Sequence, residues 1–101
     1  MTFTQERWLD DSTDLGPSYP LRINSSLLTV TASWSGTPAT NASTVAVEGS
    51  LEGDAWFPLG NLTPSAPILW VAGKPMAMVR LNQLELNGTG DPAVTVSVLA
   101  Q

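Results

Sequence analysis

The sequence contains no cysteine and no histidine. The first absence excludes disulfides, iron–sulfur clusters, thiolate zinc sites and cysteine nucleophiles. The second removes the usual general base near neutral pH, the histidine of a catalytic triad and the commonest transition-metal ligand. Without these groups no nucleophile–base pair can be put together, so the chain reads as non-enzymatic, with no cofactor and no catalytic metal. Basic residues are scarce as well: Arg7, Arg22, Lys74 and Arg80 stand against nine acidic residues, for a net charge of −5. That balance repels phosphate backbones and anionic lipid surfaces, so neither nucleic acid nor membrane is an expected partner. Apolar runs fall well short of the roughly 20 residues that a membrane-crossing helix needs. The N-terminal MTFTQERWLDD has no basic stretch leading into an apolar one, and the expectation is a soluble protein made without a signal peptide.

What is present fits one domain, because 101 residues lie within the span that a single hydrophobic core serves. Trp8, Trp34, Trp56 and Trp70 are the largest apolar groups available to fill it. Residues 1–19 differ from the rest. Phe3, Trp8, Leu9, Leu15 and Tyr19 follow no sustained period and alternate with Glu6, Asp10, Asp11 and Asp14. This segment reads as an N-terminal arm, with a short helix over 5–9 as an option, that docks on a partner through Phe3, Trp8 and Tyr19. Gly16, Pro17 and Pro20 close it off.

From residue 20 to 101 the period is two. Leu28, Val30, Ala32 and Trp34 share one face while Leu27, Thr29, Thr31 and Ser33 share the other. Residues 44–51 repeat the pattern with Val45, Val47 and Leu51 inward, and Glu52-Gly53-Asp54 reads as a hairpin turn into 55–59. Pro58 places that next strand at an edge or beside a bulge. Further strands are expected at 68–72, 76–86 and 93–99, with a turn at Gly73-Lys74-Pro75 and a loop over 87–92. The expected core is Val45, Val47, Trp56, Val79, Leu81, Val94, Val96 and Val98. The fold class is therefore all-β: a single β-sandwich or jelly-roll-like barrel of about six to eight short strands, preceded by the arm. The outward Thr and Ser make neutral sheet faces. These are cheap to desolvate against another protein, and equally are ordinary solvated surfaces.

Several constellations invite chemistry. Asp10, Asp11, Ser12, Thr13 and Asp14 gather the oxygens calcium takes, but an EF-hand register would need Gly and Glu where Leu15 and Leu21 stand. A solvated acidic arm is the better reading. Glu48 and Glu52 share a face by even spacing, as paired carboxylates of a glycosidase would, yet ordinary exposure favours two surface carboxylates. Arg80 lies in an apolar strand, where it either pairs with Glu48, Glu85 or a carbonyl or anchors an oligomer interface; Arg22 is a second candidate interface residue. Asn24, Asn41, Asn61 and Asn87 each head an Asn-X-Ser/Thr triplet and read as turn asparagines rather than glycan acceptors.

The runs VEGSLEGDAWFPLG at 47–60, PMAMVRLN at 75–82 and GTGDPAVTVSVLA at 88–100 resemble small β-sandwich virion proteins of tailed bacteriophages. Those proteins share a GSxDGxxWxxLG hairpin, a vRvN strand and a C-terminal Val/Thr strand. The likeness spans residues 27–100, leaves the arm outside, and shades into discoidin-like jelly rolls, which often bind sugars. Fold likeness alone is an associational ground for function. What the resemblance implies is a capsid decoration or cement protein, located on the virion after assembly in the host cytoplasm. Its partners would be the major capsid protein and sister copies in a dimer or trimer. The alternative is a carbohydrate- or receptor-binding module of a tail, fibre or baseplate, with Trp34, Trp56 or Trp70 stacking on sugar rings.

Overall fold

The computed structural model describes residues 4–13, 15–39 and 42–100. The described residues form seven strands: β1 (Thr4–Ser12), β2 (Gly16–Pro17), β3 (Leu21–Pro38), β4 (Thr44–Ser50), β5 (Phe57–Leu62), β6 (Ile68–Glu85) and β7 (Gly88–Ala100). They pair antiparallel throughout, in the order β1-β7-β3-β6-β4-β5, with β2 added beside β6. The all-β architecture is the expected one.

Two layers arise because β6 is long enough to serve both. β3 runs beside it along both halves, from Ile68 opposite Thr31 to Ala72 opposite Leu27 and, past the irregular stretch, on to Val79 opposite Leu21. The second half of β6 also pairs with β4, Arg80 facing Glu48 and Leu81 facing Val47. Period-two alternation turns one side of each layer inward, and the inward residues meet in one core. Leu28 and Val30 of β3, Val71 of β6, and Val94, Val96 and Val98 of β7 come from the first layer. Val45 and Val47 of β4, Leu62 of β5, and Val79 and Leu81 of β6 come from the second.

The loop expected over 87–92 is strand from Gly88 onward, with Gly88 opposite Pro38, and four further expectations are corrected. The first is the arm: β1 is the outermost strand of the first layer, running from Thr4 opposite Ala100 to Ser12 opposite Val94. The described part of residues 1–19 thus belongs to the sandwich, as a strand rather than a helix. Register shifts between Arg7 and Leu9 and between Leu9 and Ser12 break the alternation, which is why no period shows in the sequence. Second, Gly73-Lys74-Pro75 is not a turn between two strands. The strand runs on, and Ser25 opposite Met76 followed by Leu27 opposite Ala72 places extra β6 residues in a bulge, where a proline without its N–H is tolerated. Third, Leu51 is 67% exposed, because β4 ends at Ser50 and the chain turns away. Fourth, Trp56 is half-buried in the loop before β5 instead of filling the core. Among the triplet asparagines, Asn24 and Asn61 stand within strands, Asn87 in the β6–β7 connection, and Asn41 outside the described residues.

Pro58 does lie on an edge strand, next to a register shift between Val47 and Glu48. In the β4–β5 loop Gly53 adopts φ +90° and donates its N–H to the Ser50 hydroxyl at 2.8 Å, a turn that a side chain at 53 would strain. Where β3 crosses β7, Gly36 has φ +73°, and a Cβ there would fall 2.6 Å from the Gly90 carbonyl oxygen. Only glycine allows that approach.

Candidate functional site

Three surfaces collect the residues on which function could rest. The first is the outer face of the first layer. Alternation puts Leu27, Thr29, Thr31 and Ser33 of β3 outward; register sets Trp70 beside Thr29 and Ile68 beside Thr31 on one flank, and Leu99 and Ser97 beside them on the other. Trp70 is 71% exposed, with Leu27 and Ile68 about half exposed. Residues 27–35, 68–72 and 93–99 include no charged side chain. On β7, β3 and β6 the result is a neutral stretch of face with an indole standing out of it.

On the outer face of the second layer, the Arg80 Nε–H donates to Glu48 Oε1 at 2.7 Å, and the guanidinium lies 4.4 Å from the centre of the Trp56 ring. The two charged side chains are 24% and 20% exposed. The sequence had offered Glu48 as one partner of Arg80, and the register explains it, since the two are directly opposite. Stacking on an aromatic ring suits the planar arginine fork. Glu48 is therefore committed to Arg80, while Glu52 sits exposed in the loop beyond β4, and the two do not form an acid/base pair. Arg22, opposite Met78, is exposed and carries its charge outward.

The third surface is a cleft of about 180 Å³ where β1, β2 and β6 meet, walled by Leu9, Leu15, Pro17, Tyr19, Leu81 and Gln83. The Ser18 N–H donates to the Leu81 carbonyl at 2.7 Å and the Ser18 hydroxyl accepts from the Leu81 N–H at 3.0 Å, holding β2 against β6. Gln83 is 2% exposed. Its Oε1 accepts from the Ser12 hydroxyl at 3.3 Å, while its Nε2 has no partner among the described residues. Sequence reasoning passed over Gln83, although its parity with Val79 and Leu81 already placed it inward.

Of the arm residues expected to meet a partner, Tyr19 is 56% exposed at the rim of this cleft. Trp8 falls at the register shift between Arg7 and Leu9, and Phe3 lies outside the described residues, as does Asp14 of the acidic run. The described residues hold no group of three or more acidic side chains at metal-binding distance.

No family model matches the chain, and no curated protein does. Function must then be argued from these surfaces.

Proposed function

We propose that this chain is a virion structural protein of a tailed bacteriophage: a capsid decoration or cement protein that binds the outer capsid surface and stabilises the coat lattice. The observation that carries the reading is the uncharged outer face of β7, β3 and β6 around Trp70 on a chain of net charge −5. Covering Thr, Ser and aliphatic side chains strips no ion of its water, and an exposed Trp with apolar neighbours is the usual composition of an interface centre. None of the nine acidic residues falls within the stretches of β7, β3 and β6 that build this face, so a partner seated there covers no carboxylate of those strands. The β4–β5 hairpin, β6 and β7 also carry the stretches that resemble small phage virion proteins. The major capsid protein is the proposed partner.

The test is attachment to particles of the phage that encodes the chain. Mass spectrometry of purified particles should find it. Particles lacking the protein should recover it on mixing and withstand higher temperature, while Trp70→Glu and Thr31→Asp variants should stay in the supernatant. A chain absent from particles, or a Trp70→Glu variant that attaches fully, overturns the reading.

Trp70 also favours a second reading, a carbohydrate-binding module of the tail, because an outward indole flanked by threonines is a stacking platform for a sugar ring. Host polysaccharide that quenches tryptophan fluorescence in the wild type and not in Trp70→Ala, without capsid attachment, would favour it.

A further inference from the structure

The first half of β6 has a partner on one side only. Residues 68–72 pair with β3, β4 takes up β6 only from Met78 onward, and no strand among the described residues pairs with the opposite edge of 68–72. At such an edge alternate residues point their N–H and C=O groups at solvent, which makes it a template for another strand. Protected edges are short, charged, bulged or interrupted by proline. Here the edge reads Ile-Leu-Trp-Val-Ala, with no charge and no proline, rich in β-branched and aromatic residues. Such devices stand only at its two ends, Pro67 before it and the bulge with Lys74 and Pro75 after it, whereas β1 carries Glu6, Arg7, Asp10 and Asp11 with two register shifts, and β5 carries Pro58 beside its own.

We propose that the free edge of β6 at residues 68–72 pairs antiparallel with the same edge of a second copy, joining two first layers into one continuous sheet about a two-fold axis near Trp70. An antiparallel strand pair is its own complement under a two-fold rotation, so one sequence satisfies both sides. With the axis at Trp70, Ile68 of one copy stands opposite Ala72 of the other and the two Trp70 rings meet, covering the most exposed large apolar side chains of this face. Two chains of charge −5 repel each other wherever carboxylates approach within a Debye length of about 8 Å. Charge therefore selects this segment, whose strand neighbours Leu27, Thr29 and Thr31 are uncharged too. The outer face itself stays open in such a dimer and doubles in width. The inference stands apart from the virion reading, since it concerns the purified chain alone.

Sedimentation equilibrium of the purified full chain at micromolar concentration tests it, with circular dichroism to show that each variant is folded. The wild type should sediment at twice the chain mass. Trp70→Lys sets two ammonium groups across the axis and Ile68→Lys sets one against Ala72 in place of an apolar contact; both positions are exposed, so each variant should keep the wild-type spectrum and weaken association by about tenfold or more. Ser33→Lys, on the same face but away from the edge, should leave the dimer intact. A monomeric wild type refutes the proposal. So does a dimer indifferent to both edge lysines, or one that Ser33→Lys breaks as strongly, which would mean face-to-face contact. Should an edge variant misfold, its partner variant still decides the matter, and proteolytic protection of residues 68–72 in the wild-type dimer reads the same contact.

Discussion

Replacing Gln83 by methionine should stabilise the protein. Gln83 is 2% exposed, in the cleft wall with Leu9 and Leu81, and its Nε2 has no partner among the described residues. A buried polar group without a hydrogen bond costs about 1–3 kcal/mol. Methionine is close to glutamine in volume and length and adapts its flexible chain to the space, so the packing around position 83 is little disturbed. The bond lost is the 3.3 Å contact from Ser12, worth about 0.5–1 kcal/mol at that length, and Ser12 is not left without a partner. The balance is a gain of about 1 kcal/mol, which for a domain of this size raises Tm by about 4–8 °C. Calorimetry on the wild type and Gln83→Met, with urea unfolding to show an unchanged m-value, measures it. A fall in Tm would refute the reasoning. It would mean that the amide is held by a group admitted through the adjoining cleft, and that the glutamine is there to bind rather than to pack.

Three further outcomes are expected. Val96→Asp should prevent folding, because Val96 is fully buried and an unpaired carboxylate there costs several kcal/mol, while Thr95→Asp on the opposite side should shift Tm only slightly; equal effects in thermal melts would put the β7 register in error. Deleting residues 1–12 should lower Tm markedly or abolish folding, since it strips β1 from β7 and Leu9 from the core, and a truncated chain with an unchanged melting curve would return this segment to the status of an arm. A double-mutant cycle with Glu48→Gln and Arg80→Met should give a coupling of about 1 kcal/mol, given side chains 24% and 20% exposed; zero coupling in urea melts would make the pair incidental.

Period-two alternation was readable wherever strands run unbroken and face a core on one side. Val94, Val96 and Val98 on β7, Val45 and Val47 on β4, and Val79 and Leu81 on β6 are all buried, and residues 27–34 divide between the two faces as their spacing dictates. The errors fall where the backbone departs from regular pairing. In β1 two register shifts scramble the parity that would have revealed a strand, and in β6 a bulge around Gly73-Lys74-Pro75 has the composition of a turn. A turn and a bulge use the same residues because both need an unpaired N–H and loose backbone. Parity also fails at strand ends, as with Leu51. Trp56 misled for another reason: its size suggested the core, whereas its neighbour across β4 is a guanidinium, and an indole can shelter a cation as readily as it fills a cavity.

The candidate surfaces were legible only in part, because a sequence shows which residues point outward but not which outward residues are neighbours. Trp70, Thr29 and Ser97 are far apart along the chain and become adjacent through the order β7-β3-β6. That order also gives β6 two tasks: its second half holds Arg80 against Glu48 and Trp56, while its first half presents Trp70 at an unpaired edge. The polar pair fixes the register of β4 against β6, because sliding the strands by one residue would carry Arg80 to the core side and leave its charge buried without Glu48. With the second half so pinned, the bulge at 73–75 sets the angle at which the first half leaves for the other layer. The neutral face and its edge are therefore carried by a strand whose other half is anchored in the opposite sheet. A surface so held loses little conformational entropy when a partner covers it. If two copies join at that edge, each contact a single face makes with a repeating lattice is offered twice from one rigid body, and attachment strengthens by effective concentration without any new kind of contact.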